Sequence, residues 1–260
     1  MSVSMQALQG APCWVSLMSR DPEAAKEFYR EVLGWDYQPS GPDDDYTVAM
    51  AGGIPVAGIN TTSRTMHFPV AWAAYFAVES ADEAADRIRE RGATVAVGPM
   101  KFGNGRVAWA ADPAGATFGI WEGVSDPDWR VGRGAGAPVW LELRTRDAFA
   151  AAIFYGEVLG WDPEGPGRSE VRYEHDQVMV RIGGFTVAGL RGGALETAPN
   201  PHVRPRWHVY FAVPDVDLAA HHAEQSGGRV ITAPNDSPFG REATICDREG
   251  GLFTVSTGGP

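Results

Sequence analysis

Apolar and polar positions along the first 120 residues follow two alternating periods. Trp14–Leu17 is a short apolar run of strand type. Asp21-Pro22 marks a helix start: the aspartate can accept from the first amides, and the proline stands where no intrahelical bond is lost. Ala25, Phe28, Tyr29, Val32 and Leu33 recur on one helical face, and Gly34 closes the segment. Strand-like runs at Tyr46–Met50 and Pro55–Ile59 follow in the same module. The order then returns as strand Ala73–Val78, helix Asp82–Arg91 closed by Gly92, and strands near Val95, Val107 and Phe118.

The pair of modules is itself duplicated. FYREVLGWD (28–36) recurs as FYGEVLGWD (154–162), PCWVSLMSRD (12–21) as PVWLELRTRD (138–147), and YFAV (75–78) at 210–213. The turn Asp112…Gly115…Phe118 recurs as Asp247…Gly250…Phe253. A period of this length is a domain and not a solenoid repeat. Residues 122–137 (EGVSDPDWRVGRGAGA) are rich in glycine and polar side chains. They set a first domain at 11–122, a linker at 123–136 and a second domain at 137–257, and the chain is long enough for each domain to have its own core.

The charge balance is acidic, 22 basic against 33 acidic side chains, and such a surface repels nucleic acid. Residues 1–11 lack the pattern of a signal peptide, and no apolar run reaches the length of a membrane span. Cys13 and Cys246 occupy non-corresponding places in the two copies, which argues against a disulfide framework. These features point to a cytoplasmic protein whose partner is a small-molecule ligand, with no nucleic acid and no membrane; a homodimer is left open.

The Asp-Pro helix start, the FY..VLGW run, the YFAV strand and the terminal DPAGATFGIW strand together resemble the glyoxalase/bleomycin resistance/extradiol dioxygenase proteins, the vicinal oxygen chelate superfamily. The resemblance extends over nearly the whole chain. It is nearest the two-domain actinobacterial branch that opens each domain with P-x-W, often labelled glyoxalase-like or hydroxylase by similarity. It implies an α+β fold in which each domain curls two βαβββ modules into a half-open β-barrel. It also implies, in metal-using members, a divalent ion held by a His or Gln on the first strand, a His on the fifth and a Glu on the last. There the ion acts as a Lewis acid on a vicinal oxygen pair.

In this chain the matching positions hold Trp14, Ala73 and Gly119 in the first copy and Trp140, His208 and Thr254 in the second. Only His208 can ligate, so no cofactor and no metal is expected; Glu142, two residues beyond Trp140, is the one rescue ligand. Strand alternation turns Trp14, Ser16, Met18, Tyr75, Thr117 and Trp121 into the first cup, with Gly119 and Ala73 leaving space beside the tryptophans. The same rule gives the second cup Trp140, Glu142, Arg144, His208, Tyr210, Thr254 and Ser256. Glu142 and His208 then form a candidate general acid–base pair with Tyr210 as a donor, or Glu142 and Arg144 form an internal ion pair. Arg106 and Arg241, each after a Gly-containing loop, either bind a ligand's carboxylate or phenolate or form salt bridges at the rim.

Three functions fit these residues. The leading one binds a small carbonyl-bearing or aromatic metabolite of detoxification or secondary metabolism without metal, with acid–base chemistry of lyase, isomerase or hydroxylase type in the second domain. The second is a metal-dependent lyase, isomerase or dioxygenase using His208. The third is a non-catalytic protein that sequesters a drug or metabolite.

Overall fold

Helix α1 (Pro22–Leu33) forms as its signals require. The Asp21 carboxylate accepts from the Ala24 amide, and Gly34 ends the helix at φ 70°, in the left-handed region that glycine enters without strain. Its counterpart α4 (Ala148–Leu159) repeats both devices with Asp147 and with Gly160 at φ 72°. This is a computed structural model, and it describes residues 8–39, 46–126, 129–132, 134–165, 168–174, 177–194 and 203–259. Parts of the linker (127, 128 and 133), Asp43–Asp45, His175 and His202 lie outside the described residues.

The first copy contains β1 (Pro12–Met18), β2 (Asp36–Pro39), β3 (Tyr46–Ala51), β4 (Ile54–Asn60), the short helix α2 (Thr62–Thr65), β5 (Ala71–Ala77), α3 (Ala81–Glu90), β6 (Thr94–Phe102), β7 (Gly105–Ala111) and β8 (Thr117–Glu122). The second contains β9 (Pro138–Arg144), α4, β10 (Glu170–Glu174), β11 (Gln177–Ile182), β12 (Phe185–Arg191), β13 (Arg206–Ala212), α5 (Val216–Gln225), β14 (Arg229–Ser237), β15 (Gly240–Cys246) and β16 (Leu252–Ser256). Each copy makes one eight-stranded sheet, ordered β2-β3-β4-β1-β5-β8-β7-β6 and β10-β11-β12-β9-β13-β16-β15-β14. The sheets are open-ended: β2 and β6, or β10 and β14, stand at the two edges. β1 with β4 and β5 with β8 pair in parallel, whereas the outer pairs are antiparallel hairpins. β2 and α2 are too short to show a period, and the hydropathy pattern does not isolate them.

The cores are assembled differently from the sheets. One compact unit joins the N-terminal segment to Cys13, Ala74–Arg130 and Leu141–Trp207; the other joins Trp14–Ala73, Val131–Trp140 and His208–Pro260. Each unit therefore draws on both copies, where chain length alone suggests one core per copy. In the second unit α1 packs with α5, and the Tyr29 ring stacks on Trp35 and meets Trp72 edge-on. In the first, α3 packs with α4, and Tyr155 repeats the pattern with Trp161 and Trp207. Both tyrosines are fully buried. Tyr29 donates to Asp247 Oδ2 at 2.9 Å and accepts from Trp72 Nε1 at 3.0 Å; Tyr155 donates to Asp112 Oδ2 at 3.1 Å and accepts from Trp207 Nε1 at 2.9 Å. The FY..VLGW repeat thus builds the two cores, whose large side chains each gain about 1.5–3 kcal/mol from burial, and the phenol satisfies two buried polar partners that would otherwise be costly.

Candidate functional site

In the second unit, β1 turns Trp14 and Ser16 to one face. Trp14 Nε1 donates to the Tyr46 hydroxyl at 2.6 Å, and both side chains lie over Gly58, where a Cβ would collide with them. Asn60 Nδ2 donates to Ser16 Oγ at 3.1 Å. In the first unit, Trp109 Nε1 donates to the Tyr75 hydroxyl at 2.8 Å. The Tyr75 ring covers Gly119 so closely that any Cβ there would overlap it, and Trp121 packs on Gly105 and Gly123. This corrects the expectation of open space beside Gly119 and Ala73. Tyr75 fills the first of these places, and Ala73 is itself buried at 1 % exposure.

The second-copy residues divide between the units. His208, Tyr210, Thr254 and Ser256 belong to the second unit, Glu142 and Arg144 to the first. His208 is fully buried, its Nε2 2.8 Å from Thr254 Oγ1, which is 3.0 Å from Thr244 Oγ1. The Tyr210 ring meets the imidazole edge-on at 5.2 Å. Ser256 Oγ donates to the Gly258 carbonyl at 2.7 Å, and Trp140 is 4 % exposed. Glu142, 3 % exposed, accepts from Arg144 Nε at 2.7 Å, and Arg191 Nε lies 3.6 Å from its other oxygen. The ion-pair alternative for Glu142 is therefore the observed state.

These positions do not fit the metal that metal-using relatives carry. Trp14, Ala73 and Gly119 offer no donor atom; in the second copy the one imidazole is bonded to Thr254, and the rescue carboxylate of Glu142 is held by guanidinium groups. Among the described residues no three His, Cys, Asp or Glu side chains converge.

The rim arginines follow the salt-bridge alternative. Arg106 binds Asp82 through both nitrogens at 2.7 and 2.8 Å, and Arg241 binds Asp217 at 2.6 and 2.8 Å. Each fork holds its aspartate's carboxyl below the usual range. Cys13 and Cys246 are both free and buried, and burial pushes the Cys13 thiol up to about 12. Tyr46, Asn60, Trp109, Arg191 and Thr244 complete these clusters and escape the sequence reading. The signal for them was alternation on β3, β4, β7, β12 and β15. No helix of the described residues is long and apolar enough to cross a membrane.

Residues 13–120 match the family model described as Glyoxalase/Bleomycin resistance protein/Dioxygenase superfamily, and residues 140–256 match the Glyoxalase-like domain. A Mycobacterium tuberculosis protein named "Putative glyoxylase CFP32" is 33% identical over 95% of this chain and 94% of its own length. The Streptomyces peucetius protein named anthracycline biosynthesis protein DnrV is 35% identical over 95% of this chain and 92% of its own. Among solved structures, the Mn(II)-bound glyoxalase from Novosphingobium aromaticivorans superposes with a TM-score of 0.60 at 18% identity, covering 96% of this chain and 82% of that one.

Proposed function

We propose, from the premise that the chain belongs to the glyoxalase/bleomycin resistance/dioxygenase superfamily, that it binds a small planar carbonyl-bearing or aromatic metabolite without a metal on the family's three ligand positions. One observation carries the reading. Five of the six ligand positions hold Trp14, Ala73, Gly119, Trp140 and Thr254, while tryptophan and tyrosine side chains with polar heads occupy these and other strands of the first copy's sheet. Aromatic surfaces with a few oriented hydroxyls suit flat, weakly polar ligands. The relative named for anthracycline biosynthesis supports such a metabolite and a place in secondary metabolism.

The reacting end of this proposal is the second copy. His208, with Thr254 and Thr244 in line behind it, takes a proton from carbon next to a bound carbonyl, and the Tyr210 phenol donates to the carbonyl oxygen. Proton transfer of this kind balances without oxidant or reductant and contributes about 100-fold or more to rate. Within the first unit, Glu142 is the anion that orders Arg144 and Arg191, a change from the acid–base role that its inward position suggests.

The test uses the intact protein treated with EDTA and titrated with an anthracyclinone, a planar tetracyclic ketone-bearing quinone, followed by tryptophan fluorescence. Exchange of the probe's carbon-bound protons into D2O reports the chemistry. Binding that survives EDTA, with exchange lost in His208→Ala, is the expected result. Binding or exchange that appears only on adding Mn, Fe, Ni or Zn would overturn the metal-free reading. Binding without exchange in the unmodified protein would leave a sequestering protein and sink the acid–base part.

A further inference from the structure

The two Asp-centred turns of the duplicated chain have the same backbone and one telling difference. Asp247 Oδ1 accepts from the amides of Glu249 and Gly251 at 2.9 and 2.8 Å. Asp112 Oδ1 accepts from those of Ala114 and Ala116 at 2.9 and 2.8 Å. Glu249 and Ala114 are therefore equivalent positions on equivalent turns. The segments facing them, SRD (19–21) and TRD (145–147), are equivalent too, and Ser19 and Thr145 donate their amides in the same way to the last residues of β4 and β12, Asn60 and Arg191.

In the second unit the Glu249 carboxylate fills the space before α1. It accepts from Ser19 Oγ and, at 3.1–3.3 Å, from the amides of Arg20 and Asp21. In the first unit Ala114 has no carboxylate to offer, and a cavity of about 60 Å3 stands there instead, lined by Asp112, Ala114, Thr145, Arg146, Asp147 and the first turn of α4. That is about two water volumes. Thr145, the counterpart of Ser19, is 2 % exposed and lines the cavity.

We infer that this cavity is a binding site for a carboxylate anion, the external equivalent of the Glu249 side chain. The anion accepts from Thr145 Oγ1 and from the amides of Arg146 and Asp147, at the positive end of α4 and beside the Arg146 guanidinium. The Asp147 carboxylate is no obstacle. It caps the amides of Phe149 and Ala150 at 2.9 and 3.1 Å, and Asp21 stands in the same place beside Glu249. The Asp112 oxygens are likewise spent on Ala114, Ala116 and Tyr155. Small monocarboxylates, or a carboxylate arm of a larger ligand, fit the volume. The site lies within one unit and is independent of the metabolite reading above.

Acetate is the probe, compared with chloride at constant ionic strength, on the intact chain. Thermal denaturation should show a saturable rise of Tm with acetate, and the amide resonances of Arg146 and Asp147 should move in 15N spectra. Ala114→Glu supplies the missing carboxylate internally. It should raise Tm by about 2–4 °C, the shift that one such interaction gives in a chain of this size, and abolish the acetate response. Glu249→Ala opens the second copy of the cavity; it should lower Tm by a similar amount and steepen the response to acetate. An acetate response that persists undiminished in Ala114→Glu, or amide resonances of Arg146 and Asp147 that do not move, would overturn the assignment.

Discussion

Replacing Tyr155 by Phe removes one oxygen from the middle of the first unit's core and disturbs two partners at once. The Asp112 carboxylate loses a charge-assisted hydrogen bond at 3.1 Å, and the indole N–H of Trp207, in a side chain 2 % exposed, loses its acceptor at 2.9 Å. A hydrogen bond to a charged group is worth about 1.5–3 kcal/mol, and a stranded buried donor costs about 1–3 kcal/mol. Allowing for overlap between the two, the loss is roughly 3–5 kcal/mol, or about 6–20 °C in Tm at 2–4 °C per kcal/mol. Tyr29→Phe is an internal replicate, since it strands Asp247 and Trp72 in the same way.

The same prediction has a pH signature. Burial raises the Asp112 and Asp247 carboxyls above their usual range, and the tyrosine bonds oppose that shift. An acid raised in the folded state gives its stability below the unfolded pKa and loses it as pH rises through the folded one. Removing the tyrosine hydroxyl raises the acid further, so the deficit of either variant should be larger at pH 7 than at pH 4.5. Urea denaturation at both pH values measures it. A deficit under about 1 kcal/mol at pH 7, or one independent of pH, would refute this account of the FY motif.

Neither cysteine should react with a thiol reagent at pH 8 in the native protein, because burial raises both thiols and holds Cys13 near 12; two thiols per chain should titrate in denaturant, and a fast native thiol would contradict the burial. Arg144→Ala should destabilise the fold by roughly 1–2 kcal/mol, a figure discounted because the arginine is about a third exposed while Glu142 stays buried; Glu142→Gln should restore much of that loss in the double variant, and no coupling in the cycle would mean that the pair is only incidental. Thr254→Val should reduce probe exchange several-fold while leaving probe affinity within about twofold, since it unties His208 without changing volume; an equal loss of both would assign Thr254 to binding.

Much of this protein is legible in its sequence. The Asp-Pro starts, glycine stops and apolar spacing of α1 and α4 are local signals, fixed by backbone hydrogen bonds and φ preferences within a few residues. The duplication is equally direct, because equal sequences under equal constraints make equal sheets. Other features depended on partners distant in the chain. Nothing local tells that Tyr29 of the first copy will bond Asp247 of the second, or that each core will mix the copies. Nor does alternation alone say whether an inward residue faces space or another side chain: Gly119 is covered by Tyr75, Glu142 is held by Arg191 from a neighbouring strand, and Ala114 leaves open what Glu249 closes. Sequence determines which face of a strand a side chain takes. Only the packed structure decides what already occupies that face, because occupancy is settled by volume and hydrogen-bond partners brought in from elsewhere in the chain.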